Sequence, residues 1–190
     1  MQLKSMNKCK DHAHWNSNLN CHKCERVMNG KGCGFKHMLV DASIILELCE
    51  AKNSSEAENF IEERLTKDIM GHITTSQIGA VFKRIRELEM EYRKNQPMME
   101  RLDELKDRVE RLISDGYLQI ISIKTGDLEL YKKLNPEHFN CQGHDQMEVC
   151  VALRKGLDVV TLDNPLIEAE RQFNESSIYP NIKIIHLRDV

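Results

Sequence analysis

No apolar run in the 190 residues approaches the ~20 that a membrane span requires, so no transmembrane segment is expected. The first residues lack the apolar core of a secretory signal, and export is therefore not expected either. There is no internal repeat and no low-complexity tract. What is present is ordinary globular material, 41% apolar and 30% charged, which excludes a wholly disordered chain. The length suits one domain with an appendage better than two full domains.

Charge and cysteine are distributed unevenly. Residues 1–39 carry seven Lys/Arg against Asp11 and Glu25, a charge of +5. The remainder has 20 basic against 28 acidic residues, or −8, so the overall −3 hides a basic head on an acidic body. Four of the seven cysteines, Cys9, Cys21, Cys24 and Cys33, fall in this head beside His12, His14, His22 and His37. With no sign of export, a reducing cytoplasm is the expected compartment, and clustered Cys and His read as metal ligands rather than disulfides.

Residues 1–37 are poor in apolar side chains and could not fold alone. They hold three ligand pairs: Cys9-x2-His12, Cys21-x2-Cys24 and Cys33-x3-His37. A closed tetrahedral zinc site needs two such pairs. Cys9, Cys21, Cys24 and Cys33 form the first-choice set, with His12, His14 and His37 as alternatives for the fourth place. The bland reading is an unstructured tail with incidental cysteines. Trp15 and Phe35 lie among Lys23, Arg26, Lys31 and Lys36, a mixture able to stack on bases and neutralise phosphates.

From Met38 onward, strand and helix signals alternate. Strands are expected at Met38–Val40, Gly71–Thr75, Tyr117–Ile123, Leu157–Leu162 and Ile182–Leu187. Ser55–Glu58 reads as a capping box, and Gly156 as a helix stop. Ile78, Val81, Phe82, Ile85, Leu88 and Tyr92 mark an amphipathic helix. After Pro97, Met98, Leu102, Leu105, Val109 and Leu112 form a heptad-like stripe. That stripe reads as packed core, or as a homodimer or protein-partner surface on a helical hairpin over 78–113. The pattern predicts a three-layer α/β/α domain with a central parallel sheet over 38–190, preceded by the 1–37 zinc arm.

In such sheets ligands bind at the carboxyl ends of the strands. Asp41 ends the first strand, Asp163 follows the fourth, and Asp145 opens the helix leading into the fourth. Three carboxylates converging on one rim repel each other unless they hold protons or a divalent cation. Oxygen-only donors favour Mg²⁺ or Mn²⁺, which can activate water against a phosphodiester. Taken singly, Asp145 and Asp163 are more ordinary as helix caps.

Residues Met38-Leu-Val-Asp41-Ala-Ser43, His144-Asp145-Gln-Met-Glu-Val-Cys-Val-Ala-Leu and Val160-Thr161-Leu-Asp163-Asn164, in this order and spacing, resemble the PIN domain. The resemblance implies a metal-dependent endoribonuclease acting on ribosomal or other RNA, with Asp41, Asp145 and Asp163 as the Mg²⁺/Mn²⁺ ligands. Ser43 and Thr161 match the family's hydroxyls, and Ser43 would orient a water at the metal or cap the first helix. The family usually carries an acid about two turns into the helix after the second strand. Here Ser76–Lys83 offers none: Gln77 falls too early and Glu87 too late. Glu47 or Glu148 could supply a fourth oxygen, although each reads more readily as a surface residue. The rival reading is a degenerate RNA- or protein-binding adaptor.

Overall fold

The computed structural model describes residues 35–49, 55–65, 67–133, 141, 143–175 and 182–190. The candidate zinc ligands Cys9, His12, His14, Cys21, Cys24 and Cys33 lie outside the described residues. Strand β1 spans Lys36–Val40, so the sheet takes in two residues that the sequence reading assigned to the arm. His37 therefore belongs to β1, where its Nδ1 lies 3.1 Å from Nε2 of His72.

The chain then alternates as expected. Helix α1 (Ala42–Cys49) is followed by α2 (Ser55–Asn59), which continues as a π-helical turn, Phe60–Arg64. Strand β2 (Ile69–Thr74) leads into α3 (Thr75–Glu91) and α4 (Gln96–Ser114). Strand β3 (Leu118–Ile121) precedes α5 (Thr125–Lys133) and α6 (Gly143–Lys155). Strand β4 (Asp158–Thr161), α7 (Asn164–Glu175), β5 (Ile184–His186) and a 3₁₀ turn, Leu187–Asp189, complete the described elements. Ser55 is already the first residue of α2. A capping box is formed instead at Thr74 and Gln77, where β2 turns into α3.

All strand pairings are parallel, in the order β3-β2-β1-β4-β5. Successive side chains of a strand point to opposite faces, and both faces are covered here. Met38, Val40, Ile73 and Val160 meet α1–α4, whereas Leu39, Val159 and Ile184 meet α6 and α7. The heptad-like stripe is spent inside the chain: Leu102, Leu105, Val109 and Leu112 are buried in the first of these cores. These four residues therefore act as core.

Helices α4 and α6 end in the same way. Gly116 and Gly156 adopt φ of +76° and +64°, and the amides beyond them close back on the last helical turn. The Tyr117 amide donates to the Leu112 carbonyl and Leu157 to Ala152, the Schellman pattern that a left-handed glycine permits. Each turn delivers the chain into the next strand, β3 or β4. No helix among the described residues is long and apolar enough to cross a membrane.

Sheet order fixes where a ligand can sit. From β1 the chain proceeds to β2 on one side, while β4 pairs on the other. The crevice beyond the carboxyl ends of β1 and β4 is therefore the topological switch point, the usual binding position in open parallel sheets.

Candidate active site

Asp41 follows β1 directly and is buried at this crevice. Its carboxylate is held by three donors from three elements. Oδ2 accepts from Ser43 Oγ and Thr161 Oγ1, each at 2.5 Å, and Oδ1 accepts from Gln77 Nε2 at 3.1 Å. An ionised carboxylate has about four acceptor sites, so these three hydrogen bonds leave one on Oδ1 unused. The Asp41 amide donates to the Val160 carbonyl at 3.0 Å, which ties the end of β1 to β4.

Ser43 and Thr161 form the rest of this brace. Ser43 is the second residue of α1, and its Oγ donates to Asp41 and accepts from the Leu162 amide at 3.1 Å. It does not cap the helix; both of these contacts place it as a strut between β1 and the chain leaving β4. Thr161 Oγ1 in turn accepts from the Asp163 amide at 2.8 Å. One hydroxyl thus orients one predicted acid while fixing the backbone of another. Thr161→Val removes both functions with little change in volume. The expected result is a roughly 10- to 100-fold weaker Mn²⁺ affinity, as for other outer partners of metal ligands, read by isothermal titration.

The three predicted acids share one cavity of about 580 Å³, together with Gln77, His144 and Glu148. Asp145 is buried in the first turn of α6, two residues inside the helix rather than ahead of it. The exposed His144 places Nε2 at 3.0 Å from Asp145 Oδ1. Asp163 immediately precedes α7, and its carbonyl accepts from the Ile167 amide as a cap residue's does. Among the described residues its half-buried carboxylate has no hydrogen-bond partner and remains free toward the cleft.

Glu148 corrects the sequence reading. It is 3% exposed rather than a surface residue, and it accepts from Gln77 Nε2 at 2.5 Å. Gln77, too early in the chain for the family's helix acid, bridges Glu148 and Asp41. Its Oε1 accepts from the Thr74 amide at 3.1 Å, so the capping box itself turns the amide nitrogen toward the carboxylates. A signal was available for Glu148: three residues after Asp145 on a helix, it lies on the same face. Glu47 also borders the cavity.

The electrostatics show what is missing from this group. Burial, then the charges of Asp41 and Asp145, push the Glu148 carboxyl up to about 10. Burial and Asp41 also raise Asp163, opposed by His144. Carboxylates crowded in this way lack positive charge, and a divalent cation would supply it. The donor set is all oxygen, suiting a hard ion such as Mg²⁺ or Mn²⁺. Among the described residues no three His, Cys, Asp or Glu side chains already converge closely enough to form a metal cage. The unpartnered Asp163 carboxylate and the remaining acceptor site of Asp41 fit the ion. Asp41, Asp145 and Asp163 are the residues that could hold it.

The PIN domain model matches residues 38–172. Among solved structures, FitAcB from Neisseria gonorrhoeae is similar at 12% identity, with a TM-score of 0.56, covering 80% of this chain and 99% of that one. DNA-bound VapBC from Salmonella typhimurium is similar at 19% identity and a TM-score of 0.51, over 80% and 98% of the two chains. VapBC2 from Rickettsia felis, bound to a DNA fragment from their promoter, gives 15% and 0.50 over 79% and 98%. At such identities the likeness concerns the fold alone. No curated protein matches the sequence significantly.

Proposed function

The chain belongs to the PIN domain family, typically Mg²⁺- or Mn²⁺-dependent nucleases, and from that premise we propose that it is a metal-dependent endoribonuclease. Asp41, Asp145 and Asp163 are the proposed ligands. The observation that carries this reading is their common cavity at the β1/β4 switch point, where the oxygens of Asp163 accept no hydrogen bond from the described residues. A bound Mg²⁺ or Mn²⁺ would lower the pKa of water and stabilise the departing oxygen of a phosphodiester.

The chain's own residues supply the frame for that chemistry. Ser43, Thr161 and Gln77 hold the Asp41 carboxylate in one orientation, which limits the reorganisation that binding requires. His144 stands exposed beside Asp145, where its ring can meet a phosphate of the substrate. The body is acidic, so attraction for RNA falls to the cation and to the basic arm.

A mixed RNA pool incubated with and without Mn²⁺ tests the reading. Cleavage is expected only with the metal, whereas RNA binding without cleavage would favour a degenerate adaptor. That alternative draws on α3, which borders the cavity with Ser76, Gln77 and Ala80 and brings no acid.

For the arm we propose a structural zinc bound by Cys9, Cys21, Cys24 and Cys33, or with His12 or His14 in the fourth place. Elemental analysis of the full chain is expected to find about one zinc per molecule. Cys21→Ser and Cys24→Ser should each release it. Stoichiometric zinc retained in both variants would remove this assignment.

A further inference from the structure

We propose that Glu148 is a fourth ligand of the divalent cation, so that α6 supplies the carboxylate that α3 does not. This rests on the reading of the cavity as a metal site.

A carboxylate removed from water is costly unless it is paired, hydrogen-bonded, bound to a metal or neutralised by a proton. Glu148 is 3% exposed and borders the cavity. Its one hydrogen bond among the described residues comes from Gln77 Nε2 to Oε2, leaving Oε1 without a partner and no Lys or Arg beside it. Such an arrangement wastes half of the carboxylate if its purpose is to satisfy Gln77, since a neutral acceptor would do that as well. A cation in the cavity uses the other half.

Placement supports the same conclusion. Asp145 and Glu148 are three positions apart on α6, so both present oxygens from one helix face. Helix α3 also lines the cavity, with Ser76, Gln77 and Ala80, and brings no acid. Gln77 joins the two sides. With Oε1 committed to the Thr74 amide, its nitrogen can only donate, and it holds Glu148 and Asp41 on a common donor.

Mn²⁺ titration of the full chain, followed by the paramagnetic signal of free Mn²⁺, separates ligand from structural strut. Glu148→Gln keeps the shape and the acceptor for Gln77 but loses the charge. It should bind Mn²⁺ at least about 10-fold more weakly than the natural chain, with thermal stability in the absence of metal no lower. The pair Ala80→Glu/Glu148→Gln returns a carboxylate from α3 and should recover part of the lost affinity. If Asp41→Asn loses Mn²⁺ while Glu148→Gln binds as tightly as the natural chain, the role of Glu148 is overturned and the metal-site reading stands. If Asp41→Asn itself binds Mn²⁺ unchanged, both fall.

Discussion

Asp41→Asn, Asp145→Asn and Asp163→Asn are each expected to reduce Mn²⁺-dependent RNA cleavage by more than about 100-fold, beyond the loss that an outer partner of a metal ligand carries. Each substitution removes one negative charge from a cavity that has too many, so none leaves a buried cation unpaired. At position 41 the amide oxygen can still accept from Ser43 and Thr161, which keeps the β1–β4 junction together. Folding should therefore survive, and circular dichroism with thermal melting in the absence of metal checks that it does. Asp163 also occupies the position ahead of α7, where Asn is as good a cap as Asp. Full cleavage by Asp145→Asn or Asp163→Asn would leave that residue with only a place at a helix start.

The largest expected loss of stability lies elsewhere. Asp127 is fully buried at the start of α5 and accepts from Arg154 at 2.5 Å (Nε) and 3.0 Å (Nη2), as well as from the Lys124 amide at 2.7 Å. Arg154, near the end of α6, also donates to the Ser122 carbonyl just beyond β3. One bidentate pair thus ties α5, α6 and the end of an edge strand. Arg154→Met keeps much of the side-chain volume but leaves Asp127 charged and buried without its cation. The expected cost is about 3–5 kcal/mol, a melting point lower on the order of 10 °C. Asp127→Asn combined with Arg154→Met should recover part of it, since the stranded charge is then gone. Cleavage per folded molecule should change little, because neither residue borders the cavity. A melting point unchanged in Arg154→Met would mean that Asp127 finds compensation without the guanidinium.

The body of the fold was legible in the sequence because its signals are local. The strands expected at Met38–Val40 and Leu157–Leu162 announce themselves as largely apolar runs followed by an acid. Gly156 ends α6 where a left-handed residue is needed, and the spacing of Ile78, Val81, Ile85 and Leu88 declares the buried face of α3. The convergence of Asp41, Asp145 and Asp163 followed from their places near strand ends, since a parallel sheet gathers its carboxyl ends on one rim.

Other features depend on contacts that no local pattern encodes. The spacing of Glu148 from Asp145 puts the two on one helix face, but only packing shows that this face is covered. Gln77 reaches Asp41 only because the capping box with Thr74 turns its amide inward. The heptad-like spacing in α4 reports an apolar stripe without saying what covers it, and the cover is the chain's own core. The Asp127–Arg154 pair is 27 residues apart in sequence and carries no motif at all.

The most direct test of the central claim is a crystal of the full chain soaked in Mn²⁺, with anomalous scattering measured at the manganese edge. The account predicts a peak within coordinating distance of Asp41, Asp145 and Asp163, at the carboxyl ends of β1 and β4. A cavity that stays without a peak at millimolar Mn²⁺, or manganese bound only away from these three carboxylates, would contradict it.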